Sequence, residues 1–436
     1  MIGLVGIYKI LSQHTKRARS RLRRELISWY LIQSPWTLQE RRYGLEALLR
    51  ELLLRNFNSV VVDSSGDVYS AGYQRGTGSY TYGTGVSVMG TCSGGTNVVL
   101  VKYDTSGTAL WARSITVGPF LSVFRSIAMD SSGNVYAAGR LSGTGNYTYG
   151  EGVSVAGTWS NYNVVLVKYD SSGTALWARS VTAGTNSSNF SSVAVDSSGN
   201  VYAAGYQSGT GSFTYGTGVS VAGTYQYDNA VLVKYDSSGN ALRANCVSVG
   251  TSTSEFNSVA VDASGNIYAA GNQYGTGSYT YGTGVSVAGT AVSGVVIVKY
   301  DSIGNALWAK SVIEGTGISE FNSVAVDSSG NIYAVGHQNG TESYTYGTGV
   351  SVAGSYSSQN VVMVKYDSSG AVFGAKSVTS GTKLSIFHSV TTDASGNVYA
   401  AGEQYQSGIY SYGDGVNVAG TSSTFSNVVL VKYGIP

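Results

Sequence analysis

The segment FNSVVVDSSGDVYSAG, which begins at Phe57, returns five more times in this chain. Its relatives open at Phe124, Phe190, Phe256, Phe321 and Phe387, at spacings of 67, 66, 66, 65 and 66 residues. A second landmark, Lys-Tyr-Asp, keeps step at Lys102, Lys168, Lys234, Lys299 and Lys365, and appears as Lys-Tyr-Gly at Lys432. A third, the glycine- and tyrosine-rich stretch typified by GTGSYTYGTGVSVAGT, starts at Gly76, Gly143, Gly209, Gly275 and Gly340, with a looser copy around Ser407. A fixed period of this kind specifies one supersecondary unit used many times, each burying its apolar face on the next.

Each unit reads as short strands. SVAVD and NVYAAGY are β-branched and aromatic runs joined by DSSGN, and NVVLVKYD and ALWARSV are a second pair joined by DSSGT. In both connectors an Asp opens the turn and a Gly supplies the positive-φ position. The two hairpins give four strands per unit, A to D. In NVVLVKY both alternation sets are apolar, so strand C is buried on both faces. Sheets stacked face to face around a ring provide that environment, and the spacing predicts an all-β, six-bladed β-propeller over residues 57–436. The period exceeds that of common blades because the tyrosine-rich stretch lies between strands B and C, where it reads as an extra hairpin. FSSVAVDSSGNVYAAGY followed by NVVLVKYDSSGTALWARS resembles the bacterial β-propeller repeat called SBBP and, more distantly, the NHL repeat. The resemblance implies a propeller fold and no particular activity.

Residues 1–56 differ. They hold 11 Lys/Arg and 4 Asp/Glu, a net of +7, whereas residues 57–436 hold 15 and 20, a net of −5. Leucines 45, 48, 49, 52 and 53 form a helical stripe, and we expect helices over Leu38–Arg55 and Ile7–Leu31. The sixth unit lacks the ALWARS element, so blade six is expected to end in an exposed edge open to self-association. Three readings of the N-terminal segment stay open: a helix covering that edge, a misassigned start, and a functional basic arm. Nucleic acid is a disfavoured partner, because no aromatic platform accompanies the basic run. No apolar run approaches the roughly 18 residues that span a bilayer. The basic block follows the apolar one, unlike a secretory signal. Low charge with abundant Gly, Ser, Thr and Tyr suits a secreted or cell-surface protein, and the location stays open.

The chemistry is sparse. The tyrosine-rich stretch lacks the spacing of a phosphate loop. Two cysteines and three histidines, all far apart, indicate neither a disulfide framework nor a metal site, and no cofactor is expected. Two sets of residues remain as candidates. The first is the hairpin aromatics Tyr80, Tyr82, Tyr147, Tyr149, Phe213, Tyr215, Tyr279, Tyr281, Tyr344, Tyr346, Tyr410 and Tyr412. Either they line a recognition surface for a protein or glycan, or they are buried between blades. The second is Glu255 and Glu320, which occupy equivalent positions before strand A in adjacent blades, where Val123, Asn189 and Ile386 stand elsewhere. The next variable position follows the Phe: Asn58, Arg125, Ser191, Asn257, Asn322 and His388. The expectation is a non-enzymatic binding or scaffolding module working through the B–C/D–A face. The alternatives are a carbohydrate-active hydrolase or lyase with these carboxylates at the channel mouth, and a structural surface or adhesion component.

Overall fold

The computed structural model describes residues 55–413 and 415–434. The two helices expected upstream fall outside this range, apart from Arg55, which already belongs to the first strand (Arg55–Val62). The described residues are all-β, a six-bladed propeller built as the repeat requires. Blade four shows the plan. Strand A is Ser254–Val261, B is Ile267–Gly275, C is Ala291–Tyr300 and D is Ala306–Ser311, paired antiparallel in the order A-B-C-D. The insertion forms its own two-stranded hairpin, Ser278–Gly282 with Val285–Ala288, turning at Gly284 with φ 73°. The D–A connection bridges to it through Val249 and Thr280.

Five blades share this plan. The sixth has A (Ser385–Thr392), B (Val398–Tyr405) and C (Ser426–Tyr433), with no fourth strand among the described residues. The turns behave as the sequence implies. In the A–B turn of blade four, Asp262 Oδ1 accepts from the amides of Ser264 and Asn266, and Gly265 holds φ 80°. Asp262 Oδ2 accepts from Asn266 and the Tyr268 hydroxyl. The repeated lysine is structural too: Lys168, Lys234 and Lys299 lie over the Tyr rings of their own strand B and donate to turn carbonyls of the next blade, at Ser237, Ser302 and Ser368.

The cores lie between blades. Where blades one and two meet, Tyr69, Ala71, Val98 and Leu100 pack on Phe124, Ile127, Val135 and Val165, and four further clusters repeat the arrangement. Serine ladders stitch the same junctions. Ser254 Oγ accepts from the Ala230 amide of the preceding strand C, and Ser258 Oγ accepts from the Val324 amide of the next strand A. The inner A strands pack in succession from blade one to blade six, so they surround the axis. The face of blade six that corresponds to Val98 and Leu100 is uncovered, with Val428 42% and Leu430 64% exposed.

One irregularity positions the site. Every A strand carries a β-bulge between its Phe and the Ser two residues on, and the bulged residues are Asn58, Arg125, Ser191, Asn257, Asn322 and His388. A bulge re-aims the side chain it carries. It also pushes the A backbone against strand B, where each blade has a glycine. A Cβ at Gly271 would meet the Glu255 carbonyl well inside 3.0 Å, and Gly72, Gly139, Gly205, Gly336 and Gly402 are crowded the same way.

Candidate functional site at the channel mouth

The hairpin aromatics are in the cores. Eleven of the twelve are at most 6% exposed, and Tyr82 is half-buried. Their hydroxyls are spent internally. In blade four Tyr279 donates to the Tyr274 carbonyl and Tyr281 to Gln273 Oε1. The tyrosine-lined recognition surface is therefore corrected: period-2 alternation turns each pair inward, under the neighbouring blade. Blade two departs from the pattern. Leu141 replaces the glutamine there, and the buried Tyr149 hydroxyl has no partner. Leu141→Gln is expected to supply the missing acceptor and raise stability by about 1 kcal/mol, seen as a higher denaturation midpoint at unchanged slope.

The carboxylates stand elsewhere. Glu255 and Glu320 lie at the start of their A strands, on the B–C/D–A side, beside the bulge. Strand register pairs each with a residue the repeat does not fix: Glu255 with Asn272 and Glu320 with His337. The same rung holds Tyr73, Arg140, Tyr206 and Glu403 in the other blades. This strand-B position, one residue after the crowded glycine, varies as Tyr, Arg, Tyr, Asn, His, Glu, and sequence reasoning passed over it. The signal was available, because it is the least conserved place between two tightly repeated landmarks.

These residues form one electrostatic neighbourhood at the channel mouth. Desolvation raises the Glu255 carboxyl above its ordinary value, and the charges of Asp228 and Glu320 push the same way, against Arg125. Asn272 lies close enough to favour the charged form, yet its Nδ2 closes no hydrogen bond. Desolvation alone raises Glu320. Tyr274 and Tyr206 are raised by burial, with Glu255 among the charges they feel. Further along, His388 Nε2 lies 3.4 Å from Glu403 Oε1, and the His337 Nε2 lies 3.1 Å from Gln359 Nε2. Burial, helped by His388, lowers the His337 imidazole to about 4.

The polar atoms here are unusually unsatisfied. Buried and without a hydrogen-bond partner are Arg140 Nε, Asn189 Oδ1, Asn272 Nδ2, Ser293 Oγ, His337 Nδ1 and Asn339 Oδ1. These six come from the rungs around the mouth; seven further buried atoms, the Tyr149, Tyr169, Tyr235 and Tyr366 hydroxyls among them, also lack a partner. Buried polar groups are normally paired, so a cluster of orphans is a place for water or a ligand. Among the described residues no group of three or more His, Cys, Asp or Glu could hold a metal ion.

The neutral state of His337 has a measurable consequence. Its folded pKa lies below the unfolded one, so between about 6.5 and about 4 the unfolded chain takes up a proton that the folded chain refuses. Stability is expected to fall by up to about 3 kcal/mol as pH drops through that window. His337→Asn, which copies blade four, should flatten that part of the pH–stability curve. Chemical denaturation at pH 7 and pH 4.5 checks it.

The sequence matches no protein-family profile. It is 26% identical over 202 residues to an uncharacterized WD repeat-containing protein of Acanthamoeba polyphaga mimivirus, a match that spans 40% of this chain and 14% of that protein. Solved propellers share the fold. A gluconolactonase from Xanthomonas campestris is 10% identical with a TM-score of 0.31, over 78% of this chain and 88% of its own. A periplasmic gluconolactonase from Pseudomonas aeruginosa is 10% identical with a TM-score of 0.29, over 83% and 99%. The chain is a β-propeller. Propellers named as enzymes stand among its structural neighbours, so the expectation that this chain is not an enzyme is withdrawn, and the shared fold by itself decides neither way. At this identity the likeness extends to the fold alone, and the chemistry must come from the mouth itself. No helix among the described residues is long and apolar enough to cross a membrane.

Proposed function

We propose that the channel mouth is the working site of this propeller, and that it takes a small, hydroxyl-rich molecule of carbohydrate type. Glu255 acts on it as general acid or base, with Glu320 as the second carboxylate. The observation that carries this reading is the convergence of orphaned donors and acceptors around a carboxyl that holds its proton above the ordinary range. Hydroxyl groups both donate and accept, so a polyol suits a site that holds both orphaned donors and orphaned acceptors. A carboxyl poised nearer neutrality suits proton transfer to or from a sugar oxygen. The repeated Asp turns support the finer reading of the blades as SBBP-type repeats.

Titration calorimetry of the full chain against monosaccharides, sugar lactones and short glycosides tests the proposal, with product analysis of each mixture. Binding that weakens in Asn272→Ala and in Glu255→Gln is expected. If none of these compounds binds or is turned over, the reading fails.

A further inference from the structure

Blade two contributes two arginines to the mouth. Arg125 is its bulge residue, and Arg140 stands on strand B one rung away, opposite Val123. Neither forms an ion pair within 4.0 Å or donates a hydrogen bond in the described part of the chain. The arginines of the D strands behave differently: Arg113 and Arg179 each donate to carbonyls of the next blade's turn, at Gly173 and Ser172, and at Gly239 and Ser238. The Arg140 guanidinium is instead laid over the Tyr162 ring, 3.8 Å from its centroid, and its Nε is buried without an acceptor. That contact fixes the plane of the group while leaving its N–H edge unspent. Arg125, at the bulge, keeps its side chain exposed to solvent, while the protein around it and the charge of Arg140 lower its pKa. Two guanidinium groups on neighbouring rungs repel one another, and the repulsion is relieved when an anion sits between them.

The charges across the mouth limit which anion fits. Asp228 and Glu255 lie on the neighbouring wall, and both act on Tyr206, which also feels the two arginines. A monoanion with an uncharged, hydroxyl-bearing body suits such a split site better than a dianion. We propose that Arg125 and Arg140 form a carboxylate subsite, so that the molecule bound at the mouth is a sugar acid whose carboxylate rests on blade two and whose hydroxyls reach Glu255. This inference rests on the carbohydrate-type reading above and adds the charged end of the ligand.

Glucuronate, glucose and inorganic phosphate are the probes, titrated separately into the full chain and into Arg140→Gln and Arg125→Gln. Glucuronate is expected to bind at least tenfold more tightly than glucose, and each substitution should erase that preference by weakening glucuronate at least tenfold more than glucose. Melting temperatures show whether each variant is folded, and either variant alone suffices. If glucose and glucuronate bind equally and neither substitution changes the ratio, the subsite is overturned while the site for hydroxyl-rich molecules stands. If phosphate alone binds in an arginine-dependent way, the carboxylate assignment is overturned in favour of a phosphate. If no probe binds, the subsite is overturned, and the titrations with lactones and short glycosides decide the site for hydroxyl-rich molecules.

Discussion

Gly271→Ala is expected to cost at least about 3 kcal/mol and to displace the Glu255 backbone. The usual cost of alanine for glycine in a strand is negative or small, since alanine restricts the unfolded chain. Here the bulge reverses the sign. The extra residue in strand A brings the Glu255 carbonyl over Gly271, and an added Cβ overlaps the carbonyl oxygen, its carbon and the Phe256 Cα. These are backbone atoms fixed by the pairing of Glu255 with Asn272 and of Phe256 with Gly271, so they cannot swing aside as a flexible side chain would. Relief requires opening the ladder at the rung that presents Glu255. Gly284→Ala, at the φ 73° turn of the hairpin, meets no neighbour within 4 Å and strains only its own backbone, a cost of about 1–2 kcal/mol. Denaturant titration of both variants separates crowding from conformation. Equal losses would show that the bulge does not constrain the strand-B glycine.

This contrast bears on what the sequence could reveal. The six glycines at this position are invariant within the chain, and repetition alone marked them as structural. Why glycine was needed stayed hidden, because a bulge is a mismatch between two strands and neither strand shows it in isolation. The turns were legible because their chemistry is local: Asp63, Asp130, Asp196, Asp262, Asp327 and Asp393 each accept from the amides two and four residues on. The tyrosine pairs were legible as pairs but not in direction. Alternation puts Tyr279 and Tyr281 on one face, and only the neighbouring blade decides that this face is inside. Glu255 and Glu320 were found because they break the repeat. Arg140, Asn272 and His337 break it equally, yet their strand-B rung reads as an ordinary variable surface until the register sets it beside the carboxylates. A repeat protein writes its scaffold in what recurs and its chemistry in what does not, and the second text is short.

Glu255→Gln is therefore the substitution with the most to reveal. Glutamine keeps the volume and the strand geometry but can neither carry the charge nor exchange a proton. For a general acid or base, turnover of the sugar substrate is expected to fall about 10²–10⁴-fold. Stability should move the other way. The folded pKa of Glu255 is raised, so above about 4.5 the folded chain holds a proton that the unfolded chain has released. Stability tied to this group is complete below the unfolded value, declines as pH rises through the folded one, and stays lower beyond it. Removing the carboxyl removes that decline, so the variant should gain on the parent as pH rises and melt higher at pH 8. Asp228, Glu320, Arg125, Tyr206, Tyr274 and Asn272 surround the group. Glu320→Gln must therefore be measured alongside it, because that substitution alone should lower the Glu255 pKa and shift its window downward. A structural glutamate predicts a different pair of results: pH–stability curves that superimpose, or a loss of stability with no change in turnover. Gain of stability with loss of turnover is the signature of a charge kept in an unfavourable place for its chemistry.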